Sequence, residues 1–378
     1  MILGVPRETK AEEYRVGMVP AGAALLVREG HRVLVESGAG LGAGYSDEEF
    51  AAAGAEIMPQ ARQVWKEADT VVKVKEPQPS EYELLQEGKV LFCFLHLAPL
   101  PHLTETLLKK GVTSVALETI QTDNGVLPCL MPMSEIAGRM SVQVGAHYLT
   151  RDKGGPGILL GGVPGVPPCE VLVLGAGTAG KNAARLAAGM GAQVRILDID
   201  LARLAYLDDV FGSRITTVMS DEHNIEVCVP EADLLVGAVL LPGGRAPILV
   251  REALVSRMKP GSVIVDIAVD QGGCVETIKP TTHNDPTYLV HGVTHYGVAN
   301  MPGAVPRTST QALTSTTLPY LRKMANLGLD KALEQMPSLR KGVNTYCKSG
   351  ESSGALTCEA VAESQGLEYR SLEEIHGG

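Results

Sequence analysis

A glycine-rich segment between a predicted strand and a predicted helix is the feature that most restricts how this chain can fold. Residues Gly175–Gly180 read Gly-Ala-Gly-Thr-Ala-Gly. The segment follows the apolar run Val171–Leu174 and precedes a helical pattern from Lys181 to Met190. A second apolar run, Gln193–Leu197, then ends at Asp198. This order of strand, GxGxxG, helix, strand and acidic residue is typical of a dinucleotide-binding βαβ unit.

Each glycine of the segment has its own predicted role. Gly175 makes the tight turn, Gly177 lets the pyrophosphate approach the backbone, and Gly180 allows helix and strand to pack closely. The phosphate charge meets free N–H groups at the helix N-terminus. Asp198 is expected to accept hydrogen bonds from the adenosine ribose, and because its charge repels a 2′-phosphate, NAD is favoured over NADP. The alternative is a glycine-rich turn without a cofactor, which the complete context disfavours.

Short apolar runs alternate with helical patterns along most of the chain, which predicts an α/β fold. Besides the two strands around the glycine segment, predicted strands are Ile2–Val5, His31–Glu36, Thr70–Val74, Val90–Leu95, Leu234–Val236, Val263–Ile267 and Tyr296–Val298. Further predicted helices are Pro20–Glu29, Asp47–Ala53, Ser134–Arg151, Ser309–Met324 and Leu327–Gln335. Pro319 is expected to kink or break the helix that contains it.

The composition restricts the class of partner. The net charge is −10, and no run of Lys and Arg forms the basic patch that nucleic acid requires. No segment has the roughly 20 unbroken apolar residues that span a bilayer, and the first residues do not resemble a secretion signal. The seven cysteines are scattered without a CxxC pair, as reduced cytosolic thiols are. We therefore expect a cytoplasmic protein with no nucleic-acid or membrane partner and no metal.

Polar residues at predicted strand ends are candidates for chemistry, because ligands of open α/β sheets bind outside the carboxyl ends of the strands. Lys75 and His96 follow two such strands. Imidazole titrates near neutral pH, which suits His96 to acid/base work, although the chain has nine histidines. Lys75 either serves a ligand or pairs with Glu76. Arg15 is either a solvated loop residue or the cationic clamp that a small carboxylate needs.

Further candidates follow the strands of the second half. Asp270 lies past the predicted strand Val263–Ile267, where it either handles protons or hydrogen-bonds its own glycine turn. Arg203 either stacks on the adenine or is a plain surface arginine. Val239 and Leu240 follow another strand and lie either near the nicotinamide or in an ordinary core.

Several stretches together match one enzyme family. They are Gly4–Lys10 with Arg15-Val16, Val74–Pro77, Phe94–Ala98, Pro132–Gly138, Gly161–Val166, the glycine segment, Pro260–Gly273, His295-Tyr296 and Asn300–Thr310. On these residues the chain resembles bacterial alanine dehydrogenases over nearly its whole length. Pieces of them also resemble the NAD-binding part of proton-translocating transhydrogenase.

The resemblance implies a fold of two Rossmann-like domains with doubly wound parallel sheets. The substrate domain is expected to be discontinuous, formed by residues 1–128 and 307–378, with an NAD-binding domain at 129–306 between them. The family is usually hexameric, so a homohexamer is expected.

The resemblance also assigns roles to residues. Arg15 and Lys75 correspond to the binders of the substrate carboxylate and carbonyl, and His96 and Asp270 to the acid/base pair. The positions expected to contact the cofactor are Ser134, Gly175, Gly177, Thr178, Ala179, Gly180, Asp198, Arg203, Ser220, Val239, Leu240, Ile267, Ala268, Val269, Asp270, Lys279, Val298, Ala299, Asn300 and Met301.

The implied activity is the reversible conversion of L-alanine, NAD⁺ and water to pyruvate, ammonium and NADH, a reaction of amino-acid catabolism. Two alternatives belong to other classes: a soluble NAD-binding subunit of a membrane transhydrogenase, and a cofactor-binding protein without catalysis. Neither requires Arg15, Lys75, His96 and Asp270 together, and all four are present.

Overall fold

The chain divides into two compact units. The computed structural model describes residues 1–239, 246–348 and 350–376. Unit 1 comprises Met1–Met133 and Gly303–Gly378, and unit 2 comprises Ser134–Pro302. Unit 1 is therefore discontinuous in sequence, since unit 2 is inserted between its two segments.

The first segment alternates strands and helices. Its strands are β1 (Ile2–Val5), β2 (Arg32–Glu36), β3 (Glu56–Met58), β4 (Thr70–Val72), β5 (Val90–Cys93) and β6 (Thr113–Ala116). Its helices are α1 (Pro20–Arg28), α2 (Asp47–Ala52), α3 (Ala61–Glu67) and α4 (Pro101–Lys109), with 3₁₀ turns at Leu41–Ala43 and Pro79–Leu84.

The middle of the chain repeats this alternation. It begins with α5 (Met131–Tyr148) and continues with β7 (Glu170–Leu174), α6 (Thr178–Gly189), β8 (Gln193–Asp198), α7 (Leu201–Phe211), β9 (Thr216–Met219), α8 (Glu222–Glu231), β10 (Leu234–Gly237), α9 (Glu252–Val255), β11 (Val263–Asp266), β12 (Thr287–Val290) and β13 (Val293–Tyr296). Short 3₁₀ turns lie at Arg151–Lys153, Gly212–Arg214, Ile267–Gln271 and Met301–Ala304.

The last segment is mostly helical. It contains α10 (Pro306–Leu327), α11 (Leu329–Gln335), α12 (Pro337–Lys341), β14 (Val343–Tyr346), β15 (Ala355–Leu356), α13 (Glu359–Gln365) and α14 (Leu372–His376). The two strands return to the sheet of unit 1, where β14 pairs antiparallel with β6 and β15 pairs antiparallel with β14.

The two sheets share one strand order. In unit 1 the order is β15-β14-β6-β5-β4-β1-β2-β3, and in unit 2 it is β12-β13-β11-β10-β7-β8-β9. Without the antiparallel edge strands β12, β14 and β15, each sheet has six parallel strands in the Rossmann order 3-2-1-4-5-6. The strand order reverses between β1 and β4 in unit 1 and between β7 and β10 in unit 2. The expected fold of two Rossmann-like domains, one of them discontinuous, is confirmed.

Apolar side chains of the central strands form the core of each unit. In unit 2, Leu172, Leu235 and Ile264 are at most 2% exposed. In unit 1, Val71 and Leu91 are equally buried and belong to a cluster that includes side chains of α4. Strands covered on both faces read as continuous apolar runs, which is why they were readable in the sequence. None of the helices in the described residues is long and apolar enough to cross a membrane.

The C-terminal helices differ from the prediction. A kink or break was expected at Pro319, and the break does not occur, because α10 is one helix that continues through this residue. A proline removes only one helix hydrogen bond, and the buried face of α10, which includes Leu313, Tyr320 and Met324, holds the helix against the rest of unit 1. The following helix begins at Leu329 rather than Leu327, after Gly328 at φ 81°.

Other element boundaries were also misplaced, and β4 and β5 each end two residues earlier than predicted. The helix predicted at Ser134–Arg151 is α5, which begins at Met131 because a proline, here Pro132, is tolerated in the first helical turn. The last strand, predicted at Tyr296–Val298, is β13 and ends where that prediction began. Its antiparallel partner β12 was not predicted, since an edge strand with half-exposed side chains lacks a strong apolar pattern.

The glycine turn after β7 has the geometry expected of its sequence. Gly175 has a φ of +99°, which favours glycine. A Cβ added to Gly180 would lie 1.8 Å from the carbonyl oxygen of Gly175, so α6 packs against the turn at a distance that only glycine permits.

We therefore expect Gly180→Ala to unfold or strongly destabilise the protein, because the obstructing atom belongs to the backbone and cannot rotate away. The melting temperature should fall by roughly 5 °C or more, as overpacking in a rigid site typically causes. Gly189→Ala in the same helix is the control, since its Cβ would meet no atom within 4 Å. Differential scanning calorimetry should find that variant as stable as the wild type or slightly more stable. Equal melting temperatures for both variants would refute the packing argument.

Candidate active site

The turn between β7 and α6 leaves space for a ligand at its second glycine. A Cβ at Gly177 would meet no heavy atom within 4 Å, in contrast to the crowded surroundings of Gly175 and Gly180. Gly177 is also the N-cap of α6, so no side chain occupies the N–H groups of the first helical turn. Free N–H groups and the helix dipole make this position suited to a phosphate. The residues present fit a dinucleotide.

Asp198 lies at the end of β8 and connects this strand to the glycine turn. Its Oδ2 accepts the N–H of Ala176 at 2.5 Å, and its Oδ1 accepts the N–H of Asp200 at 2.8 Å. Nη1 of Arg203 lies 3.7 Å from Asp198 Oδ2, and Arg203 also pairs with Asp200 at 3.3 Å. Asp198 therefore has a structural contact with the turn in addition to its predicted contact with ribose.

The other predicted cofactor positions of unit 2 follow the ends of parallel strands. Ser220 follows β9, and its N–H bonds the carbonyl of Asp198 at 2.9 Å. Val239 follows β10, Ile267–Asp270 follow β11, and Val298–Met301 follow β13. Ser134 lies in the first turn of α5. Leu240 lies outside the described residues.

Lys279 has a contact of its own in the β12–β13 region. Its ammonium lies 4.5 Å from the centroid of the Tyr288 ring, and its N–H bonds the Tyr288 hydroxyl at 2.7 Å. The hydroxyl in turn donates to the carbonyl of Thr277. The lysine is thus held by a cation–π contact to the edge strand.

Two carboxylates near the end of β11 have different environments. Asp266 is 1% exposed and accepts the N–H groups of Ala268, Cys274 and Val275 at 2.7–3.2 Å. Burial raises the pKa of Asp266, while these hydrogen bonds oppose the rise. Asp270 is exposed, and its Oδ2 accepts the N–H of Asn300 at 3.5 Å. The residue that braces the turn is therefore Asp266, which the sequence analysis did not single out.

Arg15 in unit 1 is buried rather than solvated. It is 2% exposed, and Glu13 accepts from its Nε at 2.7 Å and from its Nη2 at 2.5 Å. Its Nη1 lies 3.0 Å from the sulfur of Met133. A buried carboxylate that holds one side of the guanidinium fixes the direction of the other. Glu13 was not predicted, although it lies only two residues before Arg15.

Lys75 is a half-buried cation in the same region of unit 1. Burial lowers the pKa of Lys75, and the charges of Arg15 and Lys10 lower it further, against the influence of Glu76 and Glu13. Its ammonium has no hydrogen bond or ion pair in the part of the chain that the structure describes. The expected alternative of a direct pair with Glu76 is not what the structure has, because Glu76 pairs with Lys10 at 2.5 Å. A second positive group close to Arg15 suits an anionic ligand.

His96 lies in an unusual backbone conformation after β5. Its φ is +47°, a region that non-glycine residues rarely adopt and that often marks functional sites. Glu118 holds the segment, because its carboxylate accepts the N–H of His96 at 2.6 Å and that of Leu95 at 3.2 Å. The imidazole is half-exposed and stacks parallel to the ring of Phe94.

Lys75 and His96 belong to neighbouring parallel strands. β4 pairs with β5, and this pairing extends beyond the strands, since the N–H of Phe94 bonds the carbonyl of Val74 at 3.0 Å. Arg15 belongs to the same group of candidate residues, because its charge lowers the pKa of Lys75. Unit 1 thus holds Arg15, Lys75 and His96, while unit 2 holds Asp270 and the glycine turn.

The fold and the glycine turn define a class: α/β proteins with two Rossmann-like domains, one of which carries a dinucleotide-binding turn. The particular family follows from comparison with known proteins. Residues 4–137 match the alanine dehydrogenase/PNT N-terminal domain, and residues 141–351 match the alanine dehydrogenase/PNT C-terminal domain. The chain belongs to this family.

Similarity to individual proteins extends over the full length. An alanine dehydrogenase of Methanococcus maripaludis is 55% identical over 99% of this chain and 99% of its own. A solved structure of an L-alanine dehydrogenase has 53% identity and a TM-score of 0.92, covering 96% of this chain and 99% of its own. A transhydrogenase structure from Sinorhizobium meliloti, at 24% identity and a TM-score of 0.79 over 92% of this chain and 99% of its own, shares the fold.

The two carboxylates after β11 make a direct test of which one braces the turn. We expect Asp266→Asn to lower the melting temperature by roughly 4–10 °C, because the buried amide cannot satisfy the N–H groups that the carboxylate accepts. Asp270→Asn should melt within roughly 1 °C of the wild type, as surface substitutions usually do. Thermal unfolding followed by circular dichroism gives both values. A larger loss for the Asp270 variant would reverse the assignment.

Proposed function

We propose that this protein is an L-alanine dehydrogenase, which interconverts L-alanine, NAD⁺ and water with pyruvate, ammonium and NADH. The observation that carries the proposal is the pair of cations in unit 1, Arg15 in the loop between β1 and α1 and Lys75 after β4, which suits a small carboxylate. The relatives named alanine dehydrogenase, 53–55% identical over 99% of the chain, support the choice of substrate.

The two units divide the work in this proposal. Residues 1–128 and 307–378 form the substrate domain, and residues 129–306 form the NAD-binding domain. The space at Gly177 and the N–H groups of α6 would hold the pyrophosphate, and Asp198 would hold the adenosine ribose. Of the remaining cofactor positions named above, those after β9, β10, β11 and β13 would line the ends of the same sheet. NAD⁺ supplies the hydride acceptor when it is bound.

The substrate is held by charge and geometry. Arg15 pairs with the alanine carboxylate, and Glu13 fixes the orientation of the guanidinium, which limits how the substrate can rotate. Lys75 donates a hydrogen bond to the pyruvate carbonyl, or to the water-derived oxygen that precedes it. A buried ammonium group close to other cations gives up its proton more readily than an exposed one, which suits this role.

In this proposal His96 and Asp270 transfer protons to and from the substrate. The amine must be neutral before hydride leaves Cα, so deamination is favoured at alkaline pH. Water then adds to the resulting iminium carbon, and one of the two residues takes a proton from that water, which gives a carbinolamine. A proton returned to nitrogen makes ammonia a leaving group, and the C–N bond breaks as the hydroxyl of the carbinolamine loses its proton to form the pyruvate carbonyl. The half-exposed imidazole and the exposed carboxylate both have access to solvent with which to exchange protons.

We also propose that the protein is a homohexamer in the cytoplasm. The resemblance to the family is the basis for the hexamer, and closed symmetry is the general rule for soluble oligomers. Five of the seven cysteines are buried free thiols, as a reducing compartment permits. Static light scattering measures the oligomeric state independently of activity.

One spectrophotometric experiment tests the activity. Purified protein with L-alanine and NAD⁺ should produce absorbance at the NADH wavelength, and NADH with pyruvate and ammonium should consume it. Binding of NADH without turnover in either direction would refute the proposal and leave a cofactor-binding protein.

Lys75→Ala and His96→Ala should each lower kcat by roughly a hundredfold or more, as loss of a positioned charge or acid/base group does. Asp270→Asn should do the same, because asparagine cannot exchange the proton. NADH affinity, measured by fluorescence, should stay within roughly twofold of the wild type. His102→Ala, which removes an exposed histidine of α4, is the control and should keep full turnover. Near wild-type turnover in any of the three variants would exclude that residue from catalysis.

Asp198→Ala should raise the NADP⁺/NAD⁺ ratio of kcat/KM by roughly tenfold or more, since the charge that repels the 2′-phosphate is removed. Activity with NAD⁺ itself should also fall, because the N–H of Ala176 loses its acceptor. The ratio separates the two effects. Asp200→Ala removes a nearby carboxylate that caps α7, and it should leave the ratio unchanged. If both variants raise the ratio equally, Asp198 has no special contact with ribose.

A further inference from the structure

A buried charged group lies where the strand order of unit 1 reverses. The ammonium of Lys73 is fully buried and lies 3.1 Å from Glu8 Oε2 and 3.0 Å from Glu81 Oε1. Both carboxylates are buried as well, with side-chain exposures of 2% and 5%. Burial alone would lower the pKa of Lys73, but the two carboxylates outweigh it and raise that pKa. The mechanism above uses none of these three groups.

Glu8 has contacts that Glu81 does not share. Its Oε1 accepts the N–H of Val74 at 2.6 Å, and its Oε2 lies 3.4 Å from the N–H of Lys75. Glu8 follows β1 by three residues, and Lys75 follows β4 by three residues. Because β1 and β4 are paired, the Glu8 side chain joins the loops that leave the two central strands.

Glu81 holds a different part of the same region. It accepts the hydroxyl of Thr9 at 2.8 Å and the N–H of Gln78 at 2.8 Å. Each glutamate therefore places one carboxylate within about 3 Å of the Lys73 ammonium, but of the two only Glu8 is bonded to the backbone of Val74 and Lys75. This difference makes them a matched pair.

We propose that Glu8 is a positioning residue for Lys75: it holds the backbone of residues 74 and 75 and thereby sets where the Lys75 ammonium meets the substrate. This inference rests on the proposed function. The ammonium of Lys75 has no hydrogen-bond or ion-pair partner among the described residues, so its place depends on its own backbone and on packing. A displacement of about 1 Å at such a group can cost roughly a hundredfold in rate.

Lys73 explains why a carboxylate is suited to this position. A neutral acceptor at residue 8 could accept the N–H of Val74, but it would leave the buried ammonium of Lys73 with one counter-charge instead of two. Glu8 supplies a counter-charge to the ammonium through Oε2 and accepts the N–H of Val74 through Oε1, and the ion pair with Lys73 in turn restrains the Glu8 carboxylate. The ion pair between Lys73 and Glu8 thus orients the carboxylate that accepts the N–H of Val74. This role is separate from any contribution of the ion pair to stability.

The test compares Glu8→Gln with Glu81→Gln. Each change removes one negative charge beside the Lys73 ammonium and keeps the size of the side chain at the mutated position. Both variants should therefore lose similar amounts of thermal stability. In Glu8→Gln the new amide group places a donor against the N–H of Lys75 or the ammonium of Lys73. We expect kcat/KM for pyruvate to fall roughly tenfold or more, with NADH affinity unchanged, whereas Glu81→Gln should stay within roughly twofold of the wild type.

A double-mutant cycle shows whether Glu8 acts through Lys75. In the Lys75→Ala background, Glu8→Gln should cause less than about a twofold further loss, because the group it positions is gone. A further tenfold loss in that background would overturn the proposal, and so would equal losses in the two glutamine variants. If Glu8→Gln does not fold, Glu8→Asp replaces it: the charge remains, the oxygens withdraw from the amides, and the same loss and the same coupling are expected.

Failure of this inference differs from failure of the proposed function. If the wild type does not oxidise alanine, the proposed function is refuted, and this inference falls with it. If the wild type is active and Lys75→Ala is impaired, but Glu8→Gln retains full kcat/KM, only the positioning role is refuted.

Discussion

Parallel pairing of strands is the constraint on which the placement of most candidate site residues of this protein depends. In each sheet, six strands run in the same direction, so their carboxyl ends meet at one edge. The loops that leave this edge carry Lys75 and His96 in unit 1 and the glycine turn, Asp198 and Asp270 in unit 2. Where the strand order reverses, neighbouring loops turn to opposite faces and leave a crevice between them. The same topology has thus placed two different kinds of site in one chain.

Buried charges in this protein come in compensated groups. Arg15 is held by Glu13, and Lys73 lies between Glu8 and Glu81. An isolated buried charge would cost several kcal/mol, so these partners are required before the cations can be present at all. Lys75 is the contrast, because it is half-buried beside other cations and has no such partner in the described residues. A cation in that position is energetically suited to receive an anionic ligand.

The sequence predicted the parts of the structure that local patterns control. Nine of the fifteen strands in the described residues were predicted from their apolar runs, whereas β3, β6, β9, β12, β14 and β15 were not predicted. The glycine turn was predicted because each of its glycines meets a specific steric requirement. Predictions failed where packing outweighed a local preference. Pro319 did not break α10, and β12 was missed because only its pairing with β13 makes it a strand.

The sequence by itself determined which residues of unit 2 form a dinucleotide turn and which polar groups follow strand ends, since both depend on neighbours a few residues away. Only the tertiary structure decided the partners of those groups. Glu118 reaches the backbone of His96 across 22 residues, and Glu8 reaches that of Val74 across 66. It also decided that Asp266, not Asp270, braces the turn after β11. The contacts of Glu118 and Glu8 depend on which strands are adjacent in the sheet, and no local pattern of residues encodes that order.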